Sequence, residues 1–345
     1  MDDYILFWHD GALGDLLISV PCILTVKELE NSFNSTLIAR GEQARLLTQL
    51  GVVKDFIPSN SSCLLSLFNN QSNEIIEGAR AVILFTRNPN SDLSATLKRL
   101  KGSSFKIINT NPYTSNNGPR SLYIYQIEQA KSLYGIKDGR TILNRVPCER
   151  SPSNSIIIHP GSGGKRKCWP SEKFRELALA LKRHFIDIRI KMIIGPTEEE
   201  RIHDFRPLFD ITGIELIRNA ALIDIYNELK SSLLYIGNDS GISHLAAFTG
   251  IPTIIIFGPT DPAIWAPPYP WVKIVSLRNA HNLGQMQEKG PERLSPGPQT
   301  PYHQTDGTLC EGPCPLDYFN CQNRECLLNI SVEDVFNAAI KTISM

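Results

Sequence analysis

Residues 236–261 read I-G-N-D-S-G-I-S-H-L-A-A-F-T-G-I-P-T-I-I-I-F-G-P-T-D. Leu233 to Ile236 is an apolar run of the length that forms a buried strand. Gly237-Asn238-Asp239-Ser240-Gly241 interrupts it with turn-forming residues. Ile242, Leu245, Ala246 and Phe248 follow at helical spacing, and Gly250-Ile251-Pro252 ends that helix. Thr253 to Phe257 is a second β-branched run. Strand, tight turn, short helix and strand make a βαβ unit, and this unit sets the fold class.

The turn is a candidate anion site. A helix that starts at Ser240 or Gly241 presents unpaired backbone N–H groups and about half a positive charge at its first turn. Gly241 leaves room for a phosphate or diphosphate to approach. Asp239 either caps the helix or accepts a sugar hydroxyl, and an N-cap role for Asp239 or Ser240 is equally open on the local pattern.

Outward from this unit the chain alternates in the same way on both sides. Tyr4 to Trp8, Ser35 to Ala39, Ala81 to Phe85 and Phe105 to Ile108 read as strands. Gln43 to Leu50, Asp92 to Leu100 and Leu122 to Tyr134 read as the helices between and after them, and the helix that opens at Leu16 contains Pro21. Residues 135–154 carry Gly, Pro, Asp and Ser and read as a linker. A second alternating set then begins. Its strands are Ser155 to His159, Ile188 to Ile194, Glu215 to Ile217, the runs around the central unit, and Val272 to Leu277. Ser171 is expected to cap a helix running to Phe185 with Phe174, Leu177, Ala178 and Leu181 inward. Glu198-Glu199-Glu200 opens an acidic helix start, and Leu222 to Ser231 is another helix. Ser331 caps a final helix carrying Val332, Val335, Phe336, Ala339 and Ile340. Such βαβα alternation implies parallel sheets.

Two further loops bear chemistry. Gly11 to Asp15, G-A-L-G-D, follows the first strand and places a carboxylate at a helix start, on the sheet edge where α/β proteins bind ligands. Asp15 there either acts on a ligand or only complements the helix dipole. Gly161 to Pro170 holds three glycines and the cations Lys165, Arg166 and Lys167 beside a strand end, a composition suited to a phosphate. It lacks the spacing of a Walker A loop. Arg87, Lys98, Arg99, Lys101 and Arg120 are available to an acidic partner, though each alone reads as solvated charge.

With 345 residues the chain is long enough for two domains. Lys plus Arg and Asp plus Glu number 35 each, so no general electrostatic attraction to nucleic acid is expected. No apolar run approaches the ~20 residues of a membrane span. The start, Met-Asp-Asp-Tyr, shows no basic, apolar leader, so a cytoplasmic location is expected. Of eight cysteines, Cys310, Cys314, Cys321 and Cys326 cluster as C-x3-C-x6-C-x4-C. They are candidates for a structural zinc, or are thiols packed in an irregular segment. Arg278 to Leu309 is rich in Pro, Gly, Gln and Asn with little apolar pattern, and reads as a lid or a disordered insertion.

Three stretches taken together, G-A-L-G-D with V-P after it, H-P-G-S-G-G-K-R-K-C-W-P from His159, and G-N-D-S-G-I-S-H-L-A-A followed by F-G-P-T-D-P, resemble glycosyltransferase family 9, the ADP-heptose–lipopolysaccharide heptosyltransferases. The resemblance runs from the first strand to the cysteine-bearing tail. It implies a GT-B fold, α/β with two Rossmann-like domains facing across a cleft. Residues 1–150 would be the acceptor-side domain, 151–330 the nucleotide-sugar domain, and 331–345 a helix returning to the first domain.

The family implies an inverting transfer with no metal or other cofactor in the chemistry. Asp15 matches the general base that takes the proton of an acceptor hydroxyl, and Lys167 matches a lysine that neutralises the diphosphate leaving group. Asp239, Ser240, Gly241 and His244 match the donor-binding turn, and Ser162 and Gly163 the donor-phosphate contacts. Glu198 matches an acidic residue on the ribose, while His244 is equally a packed helix residue. The implied partners are a nucleotide-sugar donor and a glycan or lipid-linked glycan acceptor, with peripheral contact to the inner face of the inner membrane. No acceptor-side residue in the first half matches well enough to carry over. A nucleotide-sugar-binding module without transferase activity, and a GT-B transferase or epimerase using another nucleotide sugar, are the alternatives.

Overall fold

The computed structural model describes residues 4–31, 34–69, 71, 73–114, 120–136, 143, 152–209, 211–277 and 324–344. The stretch Arg278 to Leu309, most of the 135–154 linker, and Cys310, Cys314 and Cys321 lie outside the described residues. The chain divides into two compact units, Met1–Pro147 with Ala221–Ile223, and Cys148–Ala220 with Asp224–Met345.

The first unit is built on five parallel strands: β1 (Ile5–His9), β2 (Ser35–Ala39), β3 (Asp55–Pro58), β4 (Ala81–Thr86) and β5 (Phe105–Asn109). Their order is β3-β2-β1-β4-β5. Phe7 lies opposite Leu37 on one side and Ile83 on the other. Continuous apolar runs rather than alternation mark β1 and β4, because a parallel sheet is covered on both faces. Leu6, Trp8, Val82 and Leu84 meet Ile38, Ile76 and Leu97 in one core. The helix after β1 spans Leu13–Leu29 and continues through Pro21. Strand β3 escaped the sequence reading, since it is an edge strand with a polar start and a terminal proline.

The second unit holds six parallel strands: β6 (Ser155–His159), β7 (Arg189–Ile194), β8 (Ile214–Arg218), β9 (Leu234–Asn238), β10 (Thr253–Ile256) and β11 (Val272–Val275). Their order is β11-β10-β9-β6-β7-β8, so strand order reverses between β6 and β9. In the first sheet the same reversal falls between β1 and β4. Ligands of doubly wound sheets bind outside the carboxyl ends of the strands at this point.

Two local expectations need correction. Gly237 and Asn238 belong to β9 rather than to the turn, with Gly237 paired to both His159 and Ile255. A side chain at Gly237 would put its Cβ 2.3 Å from the Tyr235 hydroxyl and 3.0 Å from the His159 carbonyl, so glycine lets the strand run on. Ser171 does not cap the helix Ser171–His184; it is the first helical residue, and the cap position is Pro170. Phe174, Leu177, Ala178 and Leu181 nevertheless face the core. A helix at Ile202–Phe209, with Pro207 inside it, is an addition to the sequence reading.

The final helix, Val332–Ile343, is capped by Ser331, whose hydroxyl accepts from the Asp334 amide at 3.0 Å. This helix, which the resemblance sends back to the first domain, buries Val335 and Ala339 in the second unit's core. Among the described residues no helix is long and apolar enough to cross a membrane.

Candidate functional site

Each unit carries a polar constellation at the reversal point of its own sheet. In the second unit the constellation centres on Asp239, the residue after β9. The residue is 5% exposed. Oδ2 accepts from Lys167 Nζ at 2.8 Å and from Thr260 Oγ1 at 2.7 Å, while Oδ1 lies 3.8 Å from His244 Nε2. Burial raises the pKa of this carboxyl, but Lys167 and His244 outweigh it and hold the group well below the usual carboxylate range. Asp239 is therefore a carboxylate at neutral pH, and Lys167, at the half-buried end of its loop, is its counter-ion.

The helix Gly241–Thr249 starts beside it. Ser240 is the N-cap, accepting from the Ser243 amide at 3.3 Å, which resolves the choice between Asp239 and Ser240 as the cap. The Asp239 side chain is thereby left to Lys167 and Thr260. Ser240 Oγ also lies 3.3 Å from His159 Nδ1, and His159 Nε2 lies 3.7 Å from Glu198 Oε2. Gly250 ends the helix in the left-handed region at φ 82°.

The loop between β6 and the helix Ser171–His184 is pinned to this turn. Ser162 Oγ donates to the Asp239 carbonyl at 2.8 Å. Asn238 accepts from the Trp169 amide at 2.9 Å and donates to the Pro160 carbonyl at 2.6 Å. Lys167 thus reaches Asp239 from a loop tied down before and after it. Gly163 is exposed, with open space where a Cβ would stand.

Glu198 faces inward. It is 3% exposed and accepts from the Gly195 amide at 2.8 Å. Burial raises its pKa, yet hydrogen bonding to His159 and to the Gly195 amide brings the net value below the usual range. A Cβ at Gly161 would fall 1.7 Å from its Oε1, so that glycine is required by the carboxylate packed against it.

In the first unit Asp15 stands in the first turn of the Leu13–Leu29 helix, its Oδ2 accepting from the Ala12 amide at 3.4 Å. Its Oδ1 pairs with Arg87 Nη2 at 3.2 Å, bringing together the loops that follow β1 and β4. Beneath them His9 is buried, its Nδ1 accepting from the Gly11 amide at 3.1 Å. Burial lowers the His9 pKa to about 4, against a smaller opposing pull from Asp15. A Cβ on Gly11 would meet the His9 ring at 2.5 Å.

The structure brings Asp239, Lys167, His244, Ser162 and Ser240 into one cluster and sets Asp15 with Arg87 in another. Thr260, Asn238, His159 and His9 were not singled out by sequence. The first three fall inside the quoted motifs, where a hydroxyl, an amide and an imidazole at strand ends were the available signal. Cys326, the one member of the cysteine cluster among the described residues, is half-buried. Among the described residues no group of three or more His, Cys, Asp or Glu could hold a metal ion.

Two doubly wound parallel sheets, each with a polar cluster at its reversal point, define a GT-B protein. Residues 125–293 match the family model of glycosyltransferase family 9 (heptosyltransferase). The chain is 35% identical over 99 residues to lipopolysaccharide heptosyltransferase 1 of Escherichia coli (strain K12), a match covering 28% of this chain and 30% of that relative. The chain thus matches less than a third of that relative's length. Its fold is similar to that of a glycosyl transferase family 9 protein from Veillonella parvula DSM 2008, with TM-score 0.72 and 15% identity over 100% of this chain and 99% of the other. It is also similar to E. coli ADP-heptose lps heptosyltransferase II, with TM-score 0.68 and 13% identity over 99% of each chain.

Proposed function

We propose that this protein is an inverting glycosyltransferase that moves a heptose from ADP-heptose to a lipopolysaccharide-core or related glycan acceptor. The observation that carries the reading is the buried Asp239 carboxylate, paired with Lys167 at 2.8 Å beside the start of the Gly241–Thr249 helix. A helix N-terminus and a loop lysine together suit a diphosphate, while an ionised, fixed carboxylate suits sugar hydroxyls. The named functions of the relatives support the sugar and acceptor class.

The chemistry follows from these groups. An acceptor hydroxyl attacks the anomeric carbon as Asp15 takes its proton. The new C–O bond forms on the face opposite the breaking bond to phosphate, and the electron pair leaves with the nucleoside diphosphate. Lys167 and the backbone N–H groups of Gly241 and Ile242 at the helix start neutralise the charge that develops on that leaving group. General-base help of this kind contributes roughly 10²–10⁴-fold. Ser162, Gly163, Ser240, Gly241 and His244 complete the donor site by shape and hydrogen bonding. Glu198, the match for a ribose contact, also holds His159 and, through it, Ser240.

The reading is tested by thermal shift with ADP, UDP, GDP, CDP and dTDP, followed by transfer from ADP-heptose to core acceptors with and without EDTA. A selective ADP shift of the size expected at 100 times Kd, about 2.7 kcal/mol, and metal-independent transfer with inversion are expected. Selective stabilisation by another nucleotide reassigns the donor, and nucleotide binding without transfer favours a binding module.

A further inference from the structure

The loop that carries Lys167 is held from outside by a short segment near the carboxyl end of the chain. Arg324 Nη1 donates to the Lys165 carbonyl at 3.3 Å and to the Cys168 carbonyl at 3.5 Å. These carbonyls bracket Lys167. Trp169, 1% exposed, donates its indole N–H to the Ile330 carbonyl at 3.1 Å. Lys173, in the first turn of the next helix, donates to the Leu328 carbonyl at 2.5 Å and to the Ile330 carbonyl at 2.7 Å.

The same segment reaches the second arm of the cluster. Leu327 is fully buried, and its side chain fills the space above Gly258, where a Cβ would lie 2.4 Å from Leu327 Cγ. Gly258 is two residues before Thr260, which bonds Asp239 Oδ2. Lys167 and Thr260 meet on that one oxygen, and the segment 324–330 braces the backbone behind both.

We infer that Arg324–Ile330 is a positioning strap: it fixes the Lys167 loop and the Gly258–Thr260 turn, and so sets donor affinity without contacting Asp239. The physical reason lies in the loop itself. Gly163 and Gly164, between the anchored Ser162 and Lys167, have open space around them and wide backbone freedom, and a lysine that must meet a diphosphate at one place loses affinity if its loop samples many. Main-chain hydrogen bonds from outside the loop remove that freedom before the ligand arrives. This inference rests on the donor reading of Lys167 and Asp239.

The test uses the full chain and two readouts. ADP affinity is measured by calorimetry, and amide hydrogen exchange is followed across residues 164–170. Arg324→Ala is expected to weaken ADP roughly fivefold and to raise exchange at the Lys167 and Trp169 amides. Arg324→Lys is expected to recover part of both, and Arg183→Ala, an exposed charge loss on the neighbouring helix, to change neither. Lys173→Met, which leaves the side-chain stem in place, repeats the test from the other end of the strap if Arg324→Ala folds poorly. Where wild type binds ADP and Lys167→Ala binds it more weakly, wild-type affinity in both strap variants overturns the inference, whatever exchange does. Failure of the donor reading looks different. Wild type and Lys167→Ala would then bind ADP equally weakly, while faster exchange in Arg324→Ala would still support the strap as a clamp on the loop.

Discussion

Lys167 Nζ and Asp239 Oδ2 form an ion pair at 2.8 Å in which the carboxylate side chain is 6% exposed and the lysine 26%. Removing one partner of a buried pair leaves the other charge uncompensated, and that loss exceeds what the pair itself contributes. Lys167→Met should therefore lower unfolding free energy by about 1–3 kcal/mol in urea titration, with Thr260 and His244 limiting the damage. Its effect on nucleoside diphosphate binding should be larger than its effect on stability. Unchanged affinity would remove Lys167 from the donor site.

Acid should weaken the fold in two separate windows. His9 has a folded pKa lowered from 6.5 to about 4 by burial, so the unfolded chain binds a proton first as pH falls. The stability that neutral His9 contributes is present above pH 6.5 and is lost as pH drops through about 4. The full loss is about 3 kcal/mol, on 1.36 kcal/mol per unit. Asp239, whose pKa is also lowered, contributes stability that is present above its ordinary 3.8 and lost at still lower pH. Tm measured from pH 7.5 to 4 should fall, and His9→Asn, which keeps an acceptor near the Gly11 amide but does not titrate there, should flatten that slope.

Gly161→Ala should be destabilising through Glu198 rather than through backbone strain. The added Cβ would meet a carboxylate that is already fixed by the Gly195 amide. A loss of about 1–3 kcal/mol is expected. Shortening Glu198 should relieve it, so Gly161→Ala with Glu198→Ala should show a coupling of at least about 0.5 kcal/mol in a double-mutant cycle. Additive effects would place the clash elsewhere.

Asp15→Asn should abolish transfer while leaving nucleoside diphosphate affinity near wild type, because the proposed donor contacts all lie in the second unit. Its effect on stability should stay within about 1 kcal/mol, since the Asp15–Arg87 pair is largely solvated, with Arg87 60% exposed. Rapid-quench or steady-state product analysis reads the first claim and urea titration the second. Full turnover in Asp15→Asn would exclude Asp15 as the base.

Most strands were legible because burial on both faces demands uninterrupted apolar, β-branched runs, and Ile156–Ile158 and Ile254–Ile256 supply them. The helix after β9 was legible from Gly250 at its end and from a turn-forming start. The limit of β9 was not, because Gly237 and Asn238 read as turn formers and only pairing with His159 and Ile256 keeps them extended. Ser171 was mistaken for a cap for a related reason: a serine before an amphipathic run is the usual signal, and Pro170 takes that place here.

Sequence alone determined the alternation of strands and helices, the parallel character of the sheets, and the residue types at the strand ends. These are written within a few neighbouring residues, where hydrophobic period, turn chemistry and capping act. The tertiary structure decided which of those ends meet. Lys167 and Asp239 are 72 residues apart in the chain and Thr260 a further 21, and nothing local brings them to one oxygen. Their meeting depends on β6, β9 and β10 lying side by side in parallel register, so that the loops leaving their carboxyl ends share one edge. The same holds for Glu198. Its sequence neighbours mark it only as an acidic helix start, and it is the space left by Gly161 and the amide of Gly195 that bury its carboxylate.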